Sequence, residues 1–152
     1  MWGLAASGAA TARVFGSHFA AAVDARVTEA DRVGLRVTSG LVTADRILPG
    51  PLLTTPERAF AEGEALARAW HGTGRLRYAV TPRFSLSSSE ALLPSDAALP
   101  AALDGAFFPS HTNENPPEAA ALAQPLPPPR AHPATDHPPR IPPAPPPLPP
   151  HP

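Results

Sequence analysis

The stretch TPERAFAEGEALARAWHGTGRLRYAV, residues 55–80, decides the fold class of this chain. Thr55 is a typical N-cap, Pro56 suits the first helical position and Glu57 places an acid in the first turn. Apolar residues then recur at helical spacing until two glycines end the helix. Residues 75–80 follow with the pattern of a β-strand, so the stretch predicts one helix–strand unit.

The same unit recurs on both sides of this stretch. Hydrophobic periodicity and glycine punctuation predict further strands and helices, in the order β-α-β-α-β-α-β. The predicted strands are 11–15, 35–42, 75–80 and 106–108. The predicted helices are 19–33, 55–70 and a weaker one that starts at 89–93 and is disturbed by Pro94 and Pro100.

This alternation predicts an α/β protein with a parallel sheet, either doubly wound or a (β/α)8 TIM barrel. No glycine-rich phosphate loop follows any strand, which argues against the nucleotide-binding, doubly wound form. The distinctive polar residues His18, Arg83 and His111 instead come directly after strands, where barrels collect their sites. We therefore expect a partial barrel of about four βα units, which is half of a complete one.

Proline divides the chain into two regions. Of its 24 prolines among 152 residues, 17 lie at or after Pro116. Proline removes backbone donors, and this region has few large apolar side chains to bury. We expect a partial barrel domain at 1–117 and a disordered Pro-rich tail at 118–152.

Charge and composition exclude several classes of partner. The net charge is −1 and there is no block of like charge, so we expect neither nucleic acid nor a membrane surface as partner. No apolar run approaches the ~18 residues of a membrane span. Because there is no Cys, a metal would need His, Asp or Glu ligands, and a cytoplasmic location is the expectation.

The candidate site residues lie in two short segments. His111 follows the last strand, and Glu114 comes three residues later, so an imidazole ligand and a carboxylate can reach one metal-bound water. Arg83 follows Thr81 and Pro82, and its planar fork of donors suits a planar ligand. The simpler alternatives are a surface turn for His111 and Glu114, and an ordinary salt bridge for Arg83.

The proline region offers an alternative function. Residues 125–130 fit the pattern PxxPxR and residues 140–146 fit RxxPxxP. Segments of both kinds dock into aromatic grooves of SH3- or WW-type modules. The alternative is therefore a non-catalytic protein whose tail binds such partners.

Several segments together resemble the middle of guanine deaminases, which belong to the metal-dependent amidohydrolase superfamily. The resemblance covers about residues 8–118. Its motifs are Ser17-His-Phe, GLRVTSGLV at 34–42, Asp45-Arg, LLTTP at 52–56, RLRYAVTPRFSLS at 75–87 and SHTNENP at 110–116.

The resemblance implies a (β/α)8 barrel with one Zn²⁺ that deaminates guanine to xanthine and ammonia, in purine catabolism. By matching position, His111 is the implied metal ligand and Glu114 the implied proton shuttle. Arg83 and Phe84 are the implied substrate-binding residues. A homodimer is usual in the family. Ser88 stands where the family often has Cys.

The chain departs from the family in its metal ligands. The His-x-His pair of the first barrel strand does not occur in this sequence, and the later His and Asp ligands have no counterpart. A catalytic zinc uses three protein ligands. We therefore expect this chain to be inactive by itself.

Overall fold

A computed structural model describes residues 1–112 and 114–122. These residues form an α/β fold, which confirms the predicted class. The helices are α1 (Trp2–Ala6), α2 (Ala20–Arg32), α3 (Pro56–Trp70), α4 (Leu92–Ala101) and α5 (Pro116–Leu122), with 3₁₀ turns at Gly50–Leu52 and Ser85–Ser87. The strands are β1 (Thr11–Arg13), β2 (Arg36–Ser39), β3 (Val42–Thr43), β4 (Leu76–Tyr78) and β5 (Thr81–Pro82).

The strands pair in parallel, in the order in which they occur along the chain. β2 lies between β1 and β4. Further along the chain, the segments that continue β2 and β4 pair again as β3 and β5; we call each such continued segment a strand line. An isolated parallel bridge joins Ala79 to Phe107 and adds a fourth line. Gly40 lies between β2 and β3, where the first set of strand pairs ends and the second begins. A Cβ atom at Gly40 would lie 1.6 Å from the Ala79 carbonyl oxygen. Only glycine allows the neighbouring strands to approach this closely.

The hydrophobic core lies between the sheet and helices α2, α3 and α4. Alternate residues of the strands, such as Val37 and Leu76, point toward the helices and are buried, whereas Thr38 and Arg77 lie on the other face and are half-exposed. The apolar stripe of each helix covers the buried face, as its periodicity predicts. The buried core comprises Val23, Val27, Ala30, Leu35, Val37, Leu41, Leu66, Ala67, Leu76, Tyr78, Val80 and Leu99.

Helix α3 begins as its sequence predicts. The Thr55 hydroxyl accepts a hydrogen bond from the Arg58 N–H at 3.2 Å, with Pro56 in the first turn. His71 ends the helix, and its ring joins two other segments. Its Nδ1 accepts from the Tyr78 N–H at 3.1 Å, and its Nε2 lies 2.7 Å from the Asp104 carbonyl oxygen.

One predicted strand is absent: residues 106–108 make only the single bridge at Phe107. The helical stretch predicted to start at 89–93 is confirmed as the helix Leu92–Ala101, but the expectation that Pro94 and Pro100 disturb it is wrong. Pro94 is tolerated in its first turn, where the N–H has no intrahelical partner, and Pro100 lies next to its end.

The predicted tail boundary falls inside helix α5, so disorder is wrong for residues 118–122. Pro116 and Pro117 occupy the first two helical positions, where no donor is needed, and Asn115 caps the Glu118 N–H. The alanines that follow are strong helix formers. Residues 123–152, with both proline motifs, lie outside the described residues, so those predictions stay predictions.

Within the described part of the chain, no helix is long and apolar enough to cross a membrane.

Candidate active site at the carboxyl ends of the strands

The predicted site residues lie on neighbouring strand lines at one edge of the sheet. Backbone bonds of 2.8 Å from Val42 N–H to the Ser17 carbonyl and 3.0 Å from Arg83 N–H to the Thr43 carbonyl continue the parallel pairing toward this edge. His111 N–H then donates to the Arg83 carbonyl at 3.1 Å. The carboxyl ends of the strands therefore gather here, as in proteins that build sites at this edge.

His111 and Glu114 contact each other directly. The imidazole Nδ1 lies 2.5 Å from Glu114 Oε1, and the His111 ring packs against Phe15 with 4.2 Å between centroids. Both side chains are about half-exposed, at 43% and 56%. Among the described residues, nothing hydrogen-bonds to Nε2 of His111. The pair is thus preformed, and Nε2 is the ring nitrogen that Glu114 leaves unbound.

Arg83 and Phe84 lie beside that pair because Phe84 forms a parallel bridge with His111. Within residues 1–112 and 114–122, Arg83 forms no ion pair. The described residues therefore do not support the alternative that Arg83 makes an ordinary salt bridge. Arg83 as a whole is half-buried.

His18 lies near Arg83 at the same edge. Burial first, and the charge of Arg83 second, lower the pKa of the His18 imidazole, which keeps it neutral at pH 7. Both of its ring nitrogens are buried and have no hydrogen-bond partner in the described part of the chain. Sequence reasoning placed His18 directly after a strand but did not assign it a role in the site.

A groove of about 580 Å³ opens beside Phe84. Of the candidate site residues only Phe84 lines it; Arg83, His111 and Glu114 do not. Its lining comprises Arg13, Pro82, Phe84, Ser85, Ser88, Leu93, Phe108, Pro109, Ser110 and Thr112.

Asp45 fixes the turn that carries Phe84 toward this groove. Its N–H donates to the Ser87 carbonyl at 2.9 Å, its Oδ1 accepts from the Ser89 N–H at 2.8 Å and its Oδ2 accepts from the Ser89 hydroxyl. The Phe84 N–H in turn donates to Ser87 Oγ at 3.2 Å. Sequence reasoning missed this role, since the contacts join residues 44 positions apart.

The residues present fit a zinc ion only in part. Within the described ranges, no three His, Cys, Asp or Glu side chains converge. His111 with Glu114 supplies one imidazole and its carboxylate partner, whereas a catalytic zinc site uses three protein ligands. The described residues therefore form part of a metal site at most.

Fold and candidate site together define an α/β protein with a parallel sheet, whose predicted site residues gather at the carboxyl ends of its strands. No family model matches the chain. It is 58% identical to a probable guanine deaminase of Deinococcus radiodurans over 113 residues, 74% of this chain and 26% of that protein. It is 35% identical to guanine deaminase of Escherichia coli over 114 residues, 75% of this chain and 26% of that protein.

Solved structures of guanine deaminases are also similar to this chain. The E. coli guanine deaminase structure superposes with a TM-score of 0.71 at 35% identity, covering 73% of this chain and 26% of that one. That of Bradyrhizobium japonicum gives a TM-score of 0.74 at 33% identity, covering 79% and 26%. Over about three quarters of its length this chain is thus similar to guanine deaminases. It spans about a quarter of the length of these relatives.

Proposed function

We propose that this chain carries one part of a guanine deaminase site and serves the hydrolysis of guanine to xanthine and ammonia. The reaction replaces the exocyclic amino group of the purine ring with an oxygen from water. The similarity to guanine deaminases supports this function, and it does not favour the alternative of an SH3- or WW-binding protein.

One observation carries the proposal. The parallel bridge between Phe84 and His111 brings Arg83, Phe84, His111 and Glu114 to one edge of the sheet. A planar purine beside them would meet donors, an aromatic ring, an imidazole and a carboxylate together. These are the groups that the hydrolysis of an amino-substituted ring requires.

The four residues have distinct roles in this proposal. Arg83 donates hydrogen bonds to the purine carbonyl, and Phe84 packs against the ring. Glu114 carries a proton between water and the ring, and His111 is a ligand for Zn²⁺ through its open Nε2. When bound, the metal would supply an activated water.

The fold supports a (β/α)8 barrel, of which residues 1–117 would form a part. The strand lines follow one another in chain order, whereas a doubly wound sheet reverses its order at a switch point. In the described part, helices cover one face of the sheet and leave Thr38 and Arg77 half-exposed on the other. A parallel sheet is normally covered on both faces, and in a barrel the second face turns inward.

With one imidazole ligand, the chain by itself is expected to bind guanine without deaminating it. Family resemblance further supports a homodimer and a cytoplasmic location for the complete enzyme.

Binding and turnover are tested separately on the full 152-residue chain. We expect saturation-transfer NMR to detect guanine binding, Arg83→Ala to weaken it about tenfold or more, and adenine, which lacks the carbonyl group, to bind poorly. The control Arg68→Ala removes an exposed arginine of α3 that pairs with Glu64. Equal guanine binding by wild type and Arg83→Ala would contradict the assigned site.

Turnover is followed as xanthine formation in the presence of Zn²⁺. We expect no turnover above the rate without protein. Sustained xanthine production by the purified chain would show that the expectation of inactivity is wrong.

A further inference from the structure

His18 is held at the carboxyl edge of the sheet by the strand line that precedes it. Ser17 forms a parallel bridge with Leu41, so His18 is the first residue beyond the pairing of that line. On the other side, the Phe19 N–H donates to Ser17 Oγ at 3.2 Å and closes a short turn around His18. The backbone of His18 is therefore fixed on both sides, at the edge of the sheet where Arg83 also lies.

The imidazole of His18 has no partner at this position. Both of its ring nitrogens are buried, and within residues 1–112 and 114–122 neither forms a hydrogen bond. A neutral imidazole has one N–H donor and one acceptor, and burying either without a partner destabilises the fold. An apolar ring of similar shape would avoid this cost. Packing alone is therefore a poor account of a histidine here.

The start of helix α2 does not account for the ring either. The N-cap of this helix is Phe19, whose side chain forms no capping hydrogen bond. A histidine with a structural role looks different in this chain. The ring of His71 bonds through both nitrogens, to the Tyr78 N–H at 3.1 Å and to the Asp104 carbonyl oxygen at 2.7 Å.

The neighbour of the unpaired ring is a second side chain without a partner. Burial, and after it the charge of nearby Arg83, lower the pKa of the His18 imidazole. Arg83 only donates hydrogen bonds and forms no ion pair in the part of the chain that the structure describes. Unpaired buried groups require an explanation, and two of them side by side at this edge are expected where a ligand supplies both partners.

We propose that His18 is a ligand-contacting residue, whose imidazole hydrogen-bonds to the same planar, carbonyl-bearing heterocycle that Arg83 binds. That this ligand is guanine rests on the proposed function. Beside its carbonyl group, guanine carries both a ring N–H and an unprotonated ring nitrogen, so it can pair with the donor or with the acceptor of an imidazole. Arg83 then binds the carbonyl oxygen and His18 a neighbouring ring atom. Two such contacts fix the orientation of the heterocycle within its plane.

Two phenylalanine variants of the full 152-residue chain test this inference. His18→Phe removes two unpaired nitrogens, so its midpoint of urea unfolding is expected at or above that of wild type. Its affinity for guanine, from saturation-transfer NMR, should fall about tenfold because an atom of the ligand loses its partner. The control His71→Phe removes two nitrogens that are hydrogen-bonded. It should unfold at lower urea than wild type and bind guanine as wild type does.

Two outcomes would overturn the proposal. The first is equal affinity of wild type and His18→Phe for guanine, which would leave the proposed function intact. The second concerns stability and includes His18→Leu, whose smaller side chain avoids a clash of the larger ring. If both variants unfold at lower urea than wild type, the imidazole has a structural partner, such as an ordered water, and its assignment to a ligand is wrong.

The proposed function can also fail on its own. If wild type binds no guanine, that function is wrong, and the midpoints of urea unfolding then decide about His18. A midpoint of His18→Phe or His18→Leu at or above that of wild type supports a ring kept for a ligand at a cost in stability. Lower midpoints for both variants would overturn that inference as well.

Discussion

The sharpest consequence for stability concerns Asp96, a buried acid in α4. Its exposed fraction is 1%, and its carboxylate accepts a 2.7 Å hydrogen bond from the Thr43 hydroxyl on β3. Burial raises the pKa of Asp96 from 3.8 to about 6, and the nearby charge of Asp45 adds to the rise, while the bond from Thr43 opposes it. The folded protein therefore favours the neutral acid.

The sign of the pH effect follows from this pKa. Because the folded state binds the proton more tightly than the unfolded state, the contribution of Asp96 to stability is fully present below pH 3.8. It is lost as the pH rises to about 6. A difference of roughly two pH units between the two states corresponds to about 3 kcal/mol.

Asp96→Asn removes this titration. The amide stays neutral, and its oxygen can still accept the bond from Thr43. We expect the unfolding free energy of the variant, relative to wild type, to rise by about 2.4 kcal/mol between pH 4 and pH 7. Urea unfolding followed by tryptophan fluorescence at each pH measures it.

The control is Asp31→Asn, which removes an exposed carboxylate from α2 and should follow the wild-type profile. If the profiles of wild type and Asp96→Asn ran parallel across this range, the inferred charge effect at Asp96 would be wrong.

Three further substitutions test the fold by urea unfolding. Thr55→Ala removes the N-cap of α3 and should cost about 1 kcal/mol, whereas an unchanged midpoint would mean that water replaces the cap. Gly40→Ala would place its Cβ against the backbone oxygen of Ala79, so a cost of about 3 kcal/mol or more is expected, and full stability would contradict the close approach. Trp70→Phe loses the 2.8 Å bond from Nε1 to Asp24 and should cost about 1–3 kcal/mol, with a smaller loss expected in an Asp24→Asn background.

The sequence predicted best what depends on local pattern. The helices expected at 19–33 and 55–70 lie at Ala20–Arg32 and Pro56–Trp70, because caps and apolar periodicity act within a few residues. The strand at 106–108 failed for the opposite reason. Its pairing with Ala79 is a tertiary contact, which the β-like residues there do not determine.

The candidate site divides in the same way. The ends of the strands were predictable, so Arg83 and His111 were expected at one edge of the sheet. The residues that fix the site segments in place were not predicted. Asp45 acts through a bond to the backbone of Ser89, 44 positions away, and nothing in its local sequence indicates which N–H it binds.

The placement of Arg83 and Phe84 beside His111 depends on few contacts. It requires one parallel bridge and the bond from His111 N–H to the Arg83 carbonyl, both between adjacent strand lines. Neither contact needs a closed barrel. A set of three metal ligands is different, since it must bring side chains from distant strands to one point. In the proposed function, recognition of a planar ligand and metal-assisted hydrolysis would therefore be separable: the first would rest on neighbouring strands, and the second would require ligands in addition to His111.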